Sequence, residues 1–521
     1  MTNWLPELPS GKGPLYVRLA QRIADDIVSG ALPAGAKLPP QRDLAYDLGV
    51  TVGTVGRAYG IVRERGLVSG EVGRGTYVLA GGAAPAAASP VNGSASPALS
   101  HTLEEKPVAI PVSTPAWTHL AMANPDPGFG GTRHAVAPTG ALRLDSTSAP
   151  EVGQAQAIER VISGIAREMP HEIASYTRLV PDSWRLAGQQ WLARCGWTPA
   201  SETIVPTTGA RGGLMAIISA TTMPGDRVVF EELTYSSIAR GVTLTGRQPV
   251  AVARDDEGPI PEDLARLCAQ QHPRAIFLMP TVHNPTLGQM STARQAEIIA
   301  IAREHNLWII EDEVYGSLHA GGIPPFAELA PERTFHVGSL SKSVSAGIRG
   351  GWIASPPSHA QRLFTAHNML TGGLCFLMAE LAARLVLSGT ADDLRQRILQ
   401  ELAARHEITQ GLLAGQTFNA SPQTPFIWLK LPEPWMSGTF KTAAAAQGVL
   451  VDDEDEFKTG RSARVYHRVR LGTSNTHTRE ELIKGLGIIR DLLRNASTGY
   501  DQNAGRKIAA GNRATVSHSR R

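Results

Sequence analysis

The chain has 521 residues, 42% of them hydrophobic and 19% charged, which suits a globular protein of more than one domain with a large core. Its formal net charge is +3, but residues 496–521 hold Arg506, Lys507, Arg513, Arg520 and Arg521 against Asp501, a surplus of four that leaves the remainder near neutral. No basic stretch is followed by an apolar one at the N-terminus and no apolar run is long enough to span a bilayer, so neither a signal peptide nor a membrane partner is predicted. The three cysteines, Cys195, Cys268 and Cys375, are scattered without metal spacing, the histidines do not cluster, and a reducing cytoplasm with no bound metal is the expectation.

In chain order, Leu15, Leu19, Ile23 and Ile27 recur every four positions, one stripe of a helix that begins after Pro14 and ends near Gly30. Pro39-Pro40 opens a short helix from Gln41 to Leu48 with Leu44 and Ala45 inward, and Gly49 stops it. Thr51 can cap a third helix whose stripe is Val52, Val55, Tyr59 and Val62. Leu67-Val68-Ser69, a turn at Gly73-Arg74-Gly75 and Thr76-Tyr77-Val78-Leu79 then form a hairpin. Three helices and a hairpin in this order make a winged helix-turn-helix over residues 12–79, whose third helix enters the major groove. Thr51, Thr54 and Arg57 lie on its outward face, with Arg42 and the wing-tip Arg74 placed for phosphate or the minor groove. Residues 1–80 hold nine Lys/Arg and seven Asp/Glu, so placement rather than total charge argues for DNA.

This stretch resembles the N-terminal domain of the GntR family of bacterial regulators. The resemblance is carried by Lys37-Leu38-Pro39-Pro40-Gln41-Arg42-Asp43-Leu44-Ala45, Leu48-Gly49-Val50-Thr51, Thr54-Val55 and Gly73-Arg74-Gly75-Thr76-Tyr77-Val78. It implies an operator as the partner.

Residues 80–118, mostly Ala, Gly, Pro and Ser in their first half, predict a flexible linker, about 25–35 Å long on average for a tether of that composition. Residues 120–149 lack periodicity and are expected on the surface of the next domain, over its pocket. The tail, residues 496–521, is expected to be disordered and basic.

Between them, over residues 119–495, apolar runs alternate with helical patterns. The runs are Thr203–Val205, Arg227–Phe230, Val250–Ala253, Ala275–Met279, Leu307–Ile310, Phe335–Val337 and Gly351–Ala354, and they predict a mostly parallel sheet with helices on both faces. Ligands gather at the carboxyl ends of such strands. Thr207-Thr208-Gly209-Ala210 offers free N–H groups for a phosphate. Tyr235 is either a core tyrosine or an aromatic face for a flat ring, and Asn284 an amide donor. Asp312 is a helix cap, an ion-pair partner or the anchor of a protonated ring nitrogen. Lys342, in Gly338-Ser339-Leu340-Ser341-Lys342-Ser343 with Arg349 beyond it, is by itself a loop lysine or a Schiff-base lysine. Together on successive strand ends these features fit one cofactor, pyridoxal 5′-phosphate.

This body resembles the fold-type I aminotransferases from about Tyr176 to Arg470. The resemblance implies that Lys342 is joined to the cofactor, that Asp312 pairs with the pyridine nitrogen, and that Asn284 and Tyr315 bond the ring hydroxyl. It places Gly209, Ala210, Ser339, Ser341 and Arg349 around the phosphate and gives Tyr176 to the neighbouring subunit's phosphate. Arg470, in Val469-Arg470-Leu471-Gly472, resembles the arginine that holds a ligand's α-carboxylate, while Arg211 stands where glutamine is common. The sequence Thr478-Arg479-Glu480-Glu481 is a capping box that opens the last helix of a smaller C-terminal α+β subdomain. A DNA-binding head on an aminotransferase-like body is the layout of the MocR subgroup of the GntR family. It implies a homodimer on two half-sites, controlled by pyridoxal 5′-phosphate or a small amino compound. The alternative is a working aminotransferase with an accessory DNA-binding head.

Overall fold

The computed structural model describes residues 14–48, 50–71, 75–79, 139–319, 322–460 and 464–494, together with residues 4, 6 and 462. The expected linker (80–118), the tail (496–521), residues 119–138 and Arg74 lie outside the described residues. The chain divides into two units, residues 1–115 and 116–521.

In the first unit the helices are α1 (Leu15–Val28), α2 (Gln41–Asp47) and α3 (Val52–Glu64), followed by the antiparallel hairpin β1 (Val68–Glu71) and β2 (Gly75–Val78). The stripes do what their spacing predicts. Leu19, Ile23, Leu44, Val55, Tyr59 and Val62 are buried in one small core with Val68 and Val78 from the hairpin. Each such side chain removed from water contributes about 1.5–3 kcal/mol, which is what orders so short a unit. Thr51 caps α3, its hydroxyl accepting the Thr54 N–H at 3.2 Å. The Tyr59 hydroxyl donates to the Pro39 carbonyl at 2.8 Å and so ties α3 to the turn that starts α2.

The second unit is built on a seven-stranded sheet of β3 (Ile204–Thr207), β4 (Arg227–Glu231), β5 (Gln248–Val252), β6 (Ala275–Leu278), β7 (Trp308–Asp312), β8 (Thr334–Ser339) and β9 (Gly351–Ala354). The strand order is β3-β9-β8-β7-β6-β4-β5, and β9 alone runs opposite to the other six. Alternate residues serve opposite faces. Phe230, Phe277, Ile310 and Phe335 pack with α4 (Ala210–Thr221) and α5 (Ala360–Thr371), whereas Val229, Ile276 and Ile309 pack under the helix Thr292–Glu304. The inner strands are covered on both faces, so their apolar residues run consecutively instead of alternating, while the edge strand β5 stays partly exposed.

A smaller subdomain holds a four-stranded antiparallel sheet, β10 (Phe418–Asn419), β11 (Phe426–Lys430), β12 (Asp452–Asp453) and β13 (Arg468–Gly472), in the order β10-β11-β13-β12. Its closing helix, α6 (Arg479–Arg494), buries Leu482, Leu486, Ile489 and Leu493. The Thr478 hydroxyl accepts the Glu481 N–H at 3.2 Å, but the Glu481 carboxylate takes the His477 N–H at 2.8 Å, one residue further back than the expected box.

One expectation is corrected. Residues 142–149 are not surface loop: Leu142–Arg143 pairs in parallel with Val449–Leu450, Leu144 is buried in the small subdomain's core, and Asp145 and Thr147 are buried beside it. Gly472 permits this crossing, because a Cβ there would clash with the Ser146 carbonyl.

Candidate functional site

The carboxyl ends of the parallel strands open on a cavity of about 200 Å³. On one wall, Gly209 follows β3 with φ +80 and leads into the first turn of α4, where N–H groups have no helical acceptor. Only glycine takes that conformation without strain. A Cβ on Gly351 would lie 3.0 Å from the Gly209 Cα, so two glycines let this turn and β9 pass closely. Arg349 stands against the same turn with φ +54, a left-handed conformation uncommon for a side chain of its size. Ala210, Ser339, Ser341 and Arg349 all line the cavity. His367 of α5 accepts the Thr208 N–H through Nε2 at 3.0 Å, fixing the residue before the turn; burial holds its pKa below the usual histidine value.

At the floor, Asp312 ends β7. Its carboxylate accepts the Val314 N–H at 3.2 Å, and burial pushes its pKa up to about 7 despite that bond. Lys342, three residues past β8, donates to the Thr147 hydroxyl at 3.0 Å, which in turn lies 2.8 Å from the Tyr315 hydroxyl. The lysine Nζ is 5.8 Å from the centre of the Tyr315 ring. Tyr235 also lines the cavity. Burial raises its pKa, but the Arg211 guanidinium bonded to the phenol more than offsets this and leaves it below the usual tyrosine value.

Arg470, 3% exposed on β13, also faces the cavity. Its Nη1 donates to Asn284 Oδ1 at 2.7 Å, and its Nη2 to Asp452 Oδ2 at 2.5 Å and to the Asp145 carbonyl at 3.5 Å. The register places Asp452 of β12 directly opposite Arg470.

The cavity thus brings together Lys342, Asp312, Asn284, Tyr315, Tyr235, Gly209, Ala210, Ser339, Ser341, Arg349 and Arg470. Tyr176 is not among them: it is 90% exposed and lines a separate hollow with Arg178 and Leu179. Sequence reasoning missed Thr147 and Asp452. A short apolar alternation at Leu142–Leu144 was the only trace of the first, and the second required a strand register that no local pattern reveals.

In the first unit Thr51 and Arg57 are exposed and Thr54 half-buried on α3, with the Thr51 and Thr54 hydroxyls 2.9 Å apart. The Arg57 guanidinium lies 5.6 Å from the centre of the Tyr16 ring. Arg42 falls on α2, at its second residue.

Residues 144–487 match the family model for aminotransferase class I and II, and residues 15–78 that for bacterial regulatory proteins of the gntR family. The chain belongs to the aminotransferase class I and II family and carries a gntR-type domain ahead of it, an architecture of the MocR type. This MocR-type chain is 28% identical over 493 residues to the uncharacterized HTH-type transcriptional regulator YdeF of Bacillus subtilis, covering 94% of this chain and 97% of that one. It is 25% identical over 423 residues to the HTH-type pyridoxine biosynthesis transcriptional regulator PdxR of Corynebacterium glutamicum, covering 78% and 82%. An archaeal alanine:glyoxylate aminotransferase shares the fold of the body, with a TM-score of 0.62 and 22% identity over 68% of this chain and 91% of that one.

A MocR-type chain is a DNA-binding transcription regulator whose aminotransferase-like body takes pyridoxal 5′-phosphate. The residues present fit that group. A buried acid held near neutrality suits a cationic ring nitrogen, a primary amine faces the same space, and a glycine turn beside an arginine suits a phosphate. No described helix is long and apolar enough to cross a membrane.

Proposed function

We propose that the cavity is the sensor of a ligand-controlled regulator, and that an amino compound or pyridoxal 5′-phosphate itself changes the affinity of the helix-turn-helix for its operator. The observation that carries this reading is the convergence of Lys342, Asp312, Arg349 and Gly209 on one cavity in a chain that also bears the GntR head. Lys342 would hold the cofactor covalently and Asp312 its ring nitrogen, with Asn284 and Tyr315 at the ring hydroxyl and Tyr235 on the ring face. Gly209, Ala210, Ser339, Ser341 and Arg349 would hold the phosphate, and the partner subunit would lend Tyr176. When bound, the cofactor supplies an electrophilic carbon that captures primary amines.

The chain's own residues do the rest. Thr147 holds the Lys342 amine in place through its hydroxyl, and Tyr315 holds Thr147. Asp312 gives up its proton most readily when a cation stands beside it, so it favours the protonated ring. Burial of Tyr315 and Asn284 keeps bulk water from the floor. On the head, Thr51, Thr54 and Arg57 would meet base edges or phosphates from α3, Arg42 from α2 and Arg74 from the wing. A homodimer would present two heads to two half-sites in the cytoplasm. A ligand exerts control only if it binds one conformation better than another.

Footprinting on the DNA upstream of the chain's own gene tests this, with and without pyridoxal 5′-phosphate and with added amines. Two protected half-sites whose protection changes with ligand are expected. Sustained exchange between an amino acid and a 2-oxoacid, with protection indifferent to every ligand, would instead make the body a working aminotransferase.

A further inference from the structure

Arg470 lines the cavity with its guanidinium in use. A carboxylate can dock on a guanidinium in a fork in two ways, end-on through Nη1 and Nη2 or side-on through Nε and Nη2. Nη2 is common to both forks. It carries two hydrogens, and both are directed at this chain's own oxygens, one at Asp452 Oδ2 (2.5 Å) and one, over a longer 3.5 Å, at the Asp145 carbonyl. Nη1 already donates to Asn284. What remains is the second Nη1 hydrogen and the buried Nε, which has no partner; the two lie on different edges of the guanidinium and cannot form a fork.

The electrostatics point the same way. Asp452 is fully buried and Arg470 is 3% exposed, so the pair forms a neutral unit out of water. The Phe426 and Phe457 rings lie 5.4 and 4.7 Å from the guanidinium carbon, which keeps the surroundings dry. A ligand carboxylate brought to Arg470 would add a third charge and leave a buried negative surplus. It could do so only by displacing Asp452 from Arg470, which breaks a buried ion pair. A primary amine without a carboxylate meets neither cost.

We infer that Asp452 is a built-in carboxylate that occupies Arg470 and so makes the cavity select primary amines over α-amino acids. This rests on the cofactor and sensor reading above and specifies the ligand class of the same site. Asp452 is a specificity-determining residue that acts through Arg470. It lies directly across the β12–β13 ladder, so the pairing belongs to the fold and does not depend on a chance rotamer at the surface.

The test compares L-leucine with 3-methylbutylamine, the same side chain without the carboxylate, by titrating each into the full-length holoprotein and following the cofactor's absorbance. The wild type is expected to respond to the amine at a concentration at least tenfold below that needed for leucine. Leucine is the less basic amine and carries the larger neutral fraction in water, so the intrinsic bias runs against this result. In Asp452→Asn, which keeps shape and an acceptor but removes the charge, the leucine-to-amine ratio should fall at least tenfold. A wild type that responds to leucine as readily as to the amine overturns the inference, and this needs no variant to fold. So does an unchanged ratio in a cofactor-loaded Asp452→Asn protein, or a cofactor-loaded wild type that responds to neither ligand. A wild type without cofactor absorbance overturns the cofactor reading instead, and the inference with it.

Discussion

The head and the body place their functional side chains over very different lengths of chain. On the head, Thr51, Thr54 and Arg57 belong to one helix and its cap, held by a core of side chains within residues 19–78. In the body, the Lys342 amine is held by a hydroxyl 195 residues away, and Arg470 meets an amide 186 residues away. The head's surface follows from local periodicity and a small core. The body's cavity exists only where the large sheet, the small subdomain and residues 145–147 come together. Damage should therefore stay separate in both directions. A broken head should leave the cavity intact, and a lost side chain in the cavity should leave the head folded.

The largest expected effect is at the cavity. Lys342→Ala should abolish the cofactor's protein-bound absorbance while circular dichroism stays near that of the wild type. A borohydride-trappable cofactor in the variant would remove Lys342 from its assigned place. Next is the head's own core. Leu44 is fully buried, and Leu44→Ala should cost about 2–5 kcal/mol, enough to unfold a unit of this size. Gel shifts should vanish while cofactor absorbance is retained. Loss of both signals together would show that the two units do not fold independently.

Asp312 gives the comparison a pH axis. Its pKa in the folded chain is raised to about 7 by burial, from an ordinary value of 3.8. The folded apoprotein therefore binds the extra proton between these values, and the resulting stability is present below about pH 4 and lost as pH rises towards 7. Asp312→Asn should flatten this part of the apoprotein's stability profile, an effect on the order of 4 kcal/mol across the window. Thermal melts of both proteins at pH 5 and pH 7.5 check it, and parallel profiles would mean that the acid is already compensated. Cofactor binding places a cation near this acid and should cancel the slope in the wild type.

How much of this was legible in the sequence follows the same division. The four-residue stripes of α1 and the Thr51 cap place the head's helices almost to the residue, because they concern neighbours in the chain. The seven apolar runs of the body became its seven strands, since strands covered on both faces read as consecutive apolar residues. Lys342, Asp312 and Gly209 were legible as strand-end residues. What could not be read were the partners that come from the far side of the cavity. Thr147 lies in a stretch without period, and the short strand Leu142–Arg143 before it owes its order to Val449–Leu450, some three hundred residues on. Asp452 faces Arg470 only because of a β-ladder register, and its presence changes the meaning of the arginine.

A smaller effect is expected at the DNA surface. Arg57 is exposed with its guanidinium over Tyr16, which leaves its charge free to meet a phosphate. Arg57→Ala should weaken operator binding about tenfold and reduce the salt dependence by the equivalent of about one phosphate contact. Unchanged gel shifts across a salt series would take it off the contact surface, and cofactor absorbance should not move in either case.

The smallest effect is the most discriminating for the comparison. Thr147→Val preserves shape and removes one hydroxyl that serves both Lys342 and Tyr315. Loss of a buried hydrogen bond should cost about 1 kcal/mol, and cofactor affinity should fall a few-fold. Leu144→Ala, three residues earlier, does not line the cavity but leaves a hole in the small subdomain's core beside the strand that carries Arg470. If the cavity depends on long-range closure, both variants should weaken cofactor binding, and Leu144→Ala should do so without any direct contact. If Leu144→Ala lowers the melting temperature yet leaves cofactor affinity unchanged, the lysine and its strand end suffice, and the body is as modular as the head.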